Sequence, residues 1–77
     1  MTQLEVIVDE LQKLIAERGD GAPAPDITPD SRLIEELRLD SFEVAELSAR
    51  LEGQLGSDPI SAGLMPATVA EIVSFYD

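Results

Sequence analysis

Leu4, Ile7, Val8, Leu11, Leu14 and Ile15 recur three and four residues apart, with Glu5, Asp9, Lys13 and Glu17 set between them. That period predicts a helix with one apolar face. Thr2 followed by Glu5 supplies a capping box at its start, and Gly19, Gly21, Pro23, Pro25 and Pro29 oppose its continuation past about Arg18. A connection then runs from Gly19 to Leu39, a length at which loops in compact domains are usually functional or disordered. Leu33 and Leu37 are the positions able to pin it to a core, through a short helical turn started by Ser31.

A second helix is predicted from about Ser41 to Leu55, with Asp40 as N-cap and Glu43 reaching back in a capping box. At about 100° per residue, Val44, Leu47, Ser48, Leu51 and Leu55 share one stripe, while Phe42, Ala45, Glu46 and Ala49 fall near the opposite side. Only the first stripe has the character of a core face. Phe42 therefore has two readings of equal weight: an exposed apolar plug inside an acidic rim, suited to a docking partner, or a ring folded under the preceding loop to close the core. After Gly53, Gly56 and Pro59, the stretch Ile60 to Met65 leaves room for one short helix before Pro66. Thr68 with Glu71 repeats the capping-box pattern, and Val69, Ile72, Val73 and Tyr76 form the stripe of a terminal helix.

No segment alternates with period two, no repeat is visible, and low complexity is confined to the Gly/Ala/Pro patch at Gly19 to Pro25. The expected architecture is all-α: a small four-helix bundle with three main helices, one short helix and a long loop after the first, in a single domain over 1–77. With 77 residues the chain buries a smaller share of its surface than a large domain does, so a deep catalytic pocket is not expected. The absence of cysteine leaves stability to the core alone and suits a reducing compartment. The start of the chain has neither the basic region nor the apolar block of a secretory signal, and no apolar run is long enough to span a bilayer. The expectation is a soluble, cytoplasmic monomer, which Met1 favours as free-standing.

Five Lys plus Arg against sixteen Asp plus Glu give a formal charge of −11. Such a charge repels nucleic acid and anionic membranes and attracts basic protein surfaces, although in many acidic proteins it serves solubility alone. Glu35, Glu36, Asp40, Glu43, Glu46 and Glu52 concentrate it around Ser41 and the helix behind it.

With no histidine and no cysteine, neither a Ser-His nor a Cys-His nucleophile can be built. The carboxylates read as solvated, which denies them the separated pKa values of acid/base pairs. Asp26 and Asp30 lie in a stretch without the mid-loop Gly and terminal Glu of an EF-hand. Catalysis by the chain itself is not expected. What remains is Ser41, a nucleophile for another enzyme's active site, at a helix start whose N–H groups and dipole favour a phosphate on its oxygen. From Asp40-Ser41 alone, an ordinary helix-start serine is the commoner case.

The run Leu37-Arg38-Leu39-Asp40-Ser41-Phe42-Glu43-Val44-Ala45-Glu46-Leu47 resembles the Asp-Ser-Leu signature of acyl carrier proteins, and Thr68-Val69-Ala70-Glu71-Ile72-Val73 resembles the start of that family's last helix. Size, acidity and helix order agree over nearly the whole chain. The resemblance implies a four-helix bundle in which Ser41 bears a 4'-phosphopantetheine arm drawn from coenzyme A. The arm's thiol would hold fatty-acyl or polyketide intermediates as thioesters, with an aminoacyl, D-alanyl or peptidyl carrier as the alternative. It further implies that Asp40 helps a phosphopantetheinyl transferase and its magnesium engage the serine. Phe42, Glu43, Ala45, Glu46 and Ala49 would face loading, condensing or tailoring enzymes with basic docking patches. Two positions depart from the pattern: Phe42 replaces the usual leucine, and Arg38 stands where many relatives carry glycine, which would require Arg38 to adopt another backbone geometry. A reading from a different class is an acidic helical interaction module with no covalent arm.

Overall fold

The computed structural model describes residues 2–19 and 26–76. Its described residues form three helices and no strand: α1 (Gln3–Ala16), α2 (Ser41–Leu55) and α3 (Val69–Tyr76). All three expected main helices are present. The Thr2 hydroxyl accepts from the Glu5 amide while the Glu5 carboxylate returns to the Thr2 amide, so α1 opens with a complete capping box. It ends at Ala16, two residues short of the expected limit at Arg18. At the far end of α2, Gly56 takes a left-handed conformation at φ 84° and donates its amide to the Glu52 carbonyl, a geometry that costs glycine nothing.

Ile7, Leu11, Leu14 and Ile15 of α1 meet Leu47 and Leu51 of α2 and Val69 and Ile72 of α3 in one buried cluster. α1 packs against both other helices. Leu33, Leu37 and Leu39 enter the same cluster from the connection, so the expected pinning by Leu33 and Leu37 is present and Leu39 adds a third point. The turn that carries them closes through the Glu36 and Leu37 amides on the Arg32 carbonyl. Ser31 does not cap this turn; its buried hydroxyl accepts from the Thr28 amide at 2.9 Å, and the Glu36 carboxylate accepts from the Arg32 amide instead. The parts of the connection comprising Gly21, Pro23 and Pro25 lie outside the described residues.

An isolated antiparallel bridge between Arg32 and Thr68 ties the connection to the start of α3. The Val69 and Ala70 amides donate to the carbonyls of Ser31 and Pro29, and the Glu71 amide to the Thr68 hydroxyl. The first-turn donors of α3, which have no partner within the helix, are thereby satisfied by the connection and the cap.

The short helix expected between Ile60 and Met65 is a series of turns. The Ala62, Gly63 and Leu64 amides donate to carbonyls four, three and five residues back, so no single helical register is sustained. Gly63 at φ 90° lies outside helical geometry, and the Ser61 amide is taken by the Asp58 side chain. Among the described residues, no helix is long and apolar enough to cross a membrane.

Candidate functional site

Asp40 holds an extended conformation, φ −92° and ψ 178°, and turns the chain into α2. Its Oδ1 accepts from the Glu43 amide at 2.7 Å, and Glu43 Oε1 accepts from the Asp40 amide at 3.2 Å. The capping box read from the sequence is therefore formed. It leaves Ser41 as the first helical residue, exposed, and the Ser41 and Phe42 amides find no acceptor among the described residues. Two free N–H groups and the positive end of a fifteen-residue helix thus surround an accessible hydroxyl.

Arg18, just past α1, fixes this geometry from outside. Its Nε donates to Glu43 Oε2 at 2.6 Å, and its terminal nitrogen to Glu43 Oε1 at 2.9 Å. The same nitrogen reaches the carbonyls of Leu37 at 2.9 Å and Arg38 at 3.2 Å. One guanidinium therefore joins the end of α1, the approach to the serine and the first turn of α2. The hydrogen bond from Arg18 is the main cause holding the Glu43 carboxyl below its ordinary pKa; burial opposes it, and the Asp40 amide adds to the lowering.

Arg38 sits at φ 60°. It thus occupies the left-handed region, at a steric cost of about 1–2 kcal/mol for a residue with a Cβ. Leu37 and Leu39 on either side are buried, and the Arg18 guanidinium holds the Leu37 and Arg38 carbonyls.

Phe42 is 74% exposed, which decides between its two readings: the ring does not close the core. Ala45 and Ala49 are exposed and Glu46 is half-buried on the same helix. Glu43, expected among the docking residues, has both carboxylate oxygens engaged by Arg18 and the Asp40 amide, so it supports the fold. Beside the serine, Leu14, Arg18, Arg38, Asp40, Phe42 and Glu46 line an open groove of about 530 Å3.

The expectation that the carboxylates are solvated fails at two positions. Glu10 is buried, 3.8 Å from both Lys13 and Arg50. Asp58 is 2% exposed; its Oδ1 accepts from the Ser48 hydroxyl at 2.7 Å and the Ser61 amide at 2.9 Å. Burial pushes the Asp58 pKa up, but these hydrogen bonds outweigh it and hold the carboxyl below its ordinary value. A signal for this pair existed in Ser48, a hydroxyl on the core stripe between Leu47 and Leu51, because a buried hydroxyl requires a partner.

The family model for the phosphopantetheine attachment site matches residues 9–75, and the chain belongs to that family. No curated protein and no solved structure gives a match. The protein is thus a carrier of the phosphopantetheine-binding class, whose domain is the site of covalent 4'-phosphopantetheine attachment. The described residues fit such a group: an accessible hydroxyl, two free amides for phosphate oxygens and an open groove beside them.

Proposed function

We propose that Ser41 is the attachment residue and that the protein tethers fatty-acyl or polyketide-type intermediates as thioesters, delivering them to successive enzymes. The observation that carries this reading is the exposed Ser41 hydroxyl at the first position of a doubly capped helix inside the matched region. In the modification, Ser41 Oγ displaces adenosine 3',5'-bisphosphate from coenzyme A and becomes the ester oxygen of a phosphodiester. Its proton passes to a base of the transferase, since the chain has no histidine to take it. Asp40 contributes by capping the helix beneath the serine and by placing a carboxylate where the transferase's magnesium can meet it.

The arm supplies a thiol that holds cargo as a thioester; the chain's own residues orient it and meet partners. Phe42, Ala45, Glu46 and Ala49 form the docking strip. Acidic charge guides basic enzyme surfaces toward it, giving fast, reversible contacts weakened by salt. The protein acts in the cytoplasm as a monomeric single domain and performs no chemistry itself. Incubation with coenzyme A, magnesium and a broad-specificity phosphopantetheinyl transferase tests the reading: intact mass should rise by one phosphopantetheine. No gain with several transferases returns Ser41 to an ordinary helix start and favours an acidic interaction module. An aminoacyl or D-alanyl carrier is separated from the acyl type by which class of ligase loads the thiol.

A further inference from the structure

The segment that follows α2 is fastened to the middle of that helix by a buried polar cluster. Ser48 projects from α2 into the interior, donates to Asp58 Oδ1, and lies 3.3 Å from the Ser61 hydroxyl. The Ser61 amide donates to the same Asp58 oxygen, so two residues from two places in the chain converge on one carboxylate. Asp58 Oδ2 is buried with no partner among the described residues. A buried carboxylate held this way is intolerant of rearrangement, because displacing Ser48 or Ser61 removes donors from a charge already short of them.

Beside this cluster lies an apolar seam between the connection, α2 and the segment that follows it. Leu33 and Ile34 of the connection, Val44 and Leu47 of α2, and Ile60 and Met65 of the following segment line it. The walls are apolar enough to welcome hydrocarbon, but the space is about 20 Å3. That is about the room of one water, whereas an apolar cavity that admits a six-carbon ring measures about 150 Å3. Admitting a chain requires the 58–66 segment to lift from α2, a movement that the polar cluster opposes together with the fully buried Pro59.

We infer that Ser48, Asp58 and Ser61 act as a latch that keeps the seam between α2 and the 58–66 segment shut, so that this carrier displays its thioester cargo in solvent and serves short or polar acyl groups, not long aliphatic chains. The cargo conclusion rests on the proposed carrier function; the latch does not. A long alkyl chain held outside would expose its apolar surface to water at every transfer, whereas a short or hydroxylated acyl group carries little such cost.

The experiment has two arms. In the first, the transferase attaches acetyl and octanoyl arms from acetyl- and octanoyl-coenzyme A, and methyl NMR spectra of the two proteins are compared. The methyls of the buried Leu33 and Leu47 should superimpose in the two states; shifts at these methyls in the octanoyl form overturn the cargo conclusion. In the second, amide hydrogen exchange is followed in the unmodified protein and in Ser48→Ala. Exchange at Ser61 should accelerate by about tenfold beyond any change at Leu11, the loss expected for a hydrogen bond to a charged acceptor. Equal changes at Ser61 and Leu11 overturn the latch. Asp58→Asn keeps the shape of the cluster without its charge and should accelerate Ser61 less than Ser48→Ala does; the reverse order also overturns it. A chain that accepts no arm overturns the carrier reading and the cargo conclusion together, while exchange alone decides the latch.

Discussion

Replacing Arg18 with Ala should loosen the approach to Ser41 more than any other single change outside the core. The guanidinium makes two charge-assisted bonds to Glu43 and two to the carbonyls of Leu37 and Arg38. The side chains of Arg18 and Glu43 are 24% and 12% exposed, intermediate between a surface pair and a fully buried one. An exposed pair contributes about 0.2–1 kcal/mol, and breaking a buried one costs about 3–5 kcal/mol. The expected destabilisation is therefore about 2–3 kcal/mol, most of it from Glu43 left with only the Asp40 amide. Urea unfolding followed by circular dichroism measures this directly. Glu43→Gln should cost less, since the amide still caps Asp40 and accepts from Arg18. The Arg18→Ala protein should also be a poorer transferase substrate, because the 37–40 segment that presents the serine is no longer clamped. A change of less than about 0.5 kcal/mol would refute the reasoning by placing Arg18 among surface pairs of no consequence.

Gly56→Ala meets no atom within 4 Å, so its cost should be purely conformational, about 1 kcal/mol from φ 84°, measurable in the same unfolding assay. Asp58 and Glu43 both have folded pKa values below their ordinary 3.8 and 4.5. The unfolded chain binds more protons in that window, so their stabilisation is present above those values and is lost as pH falls through the depressed ones. Unfolding midpoints measured against pH should drop on acidification, and Asp58→Asn should flatten that drop. Phe42→Ala should leave stability within about 0.5 kcal/mol, because the ring is exposed, yet weaken partner-enzyme docking measured by titration calorimetry. Added salt should slow association with those enzymes, as read by stopped-flow mixing.

The features legible in the sequence are those whose partners are close along the chain. The bounds of α2 follow from Asp40 and Glu43 three residues apart and from the left-handed Gly56, and the start of α3 from Thr68 and Glu71. The exposed strip through Phe42, Ala45 and Ala49 follows from helical period alone. What escaped the sequence is long-range or strained. Arg18 and Glu43 are 25 residues apart, and nothing local marks an arginine beyond the end of a helix as a clamp. Asp58, between serine and proline in a polar loop, has no local sign of burial; only Ser48, ten residues away, hints at it. Arg38 holds a left-handed geometry between two buried leucines, with its carbonyl bonded to Arg18, twenty residues away. The short third helix was expected from spacing between prolines, but Asp58 captures the Ser61 amide and Gly63 leaves helical geometry.

The most direct test of the account is to locate the modification. Protein treated with coenzyme A and transferase is digested and sequenced by tandem mass spectrometry, with Ser41→Ala treated in parallel. The account predicts one phosphopantetheine on the peptide containing Ser41 and none on the variant. Modification mapped to another residue, or persisting in Ser41→Ala, would contradict it.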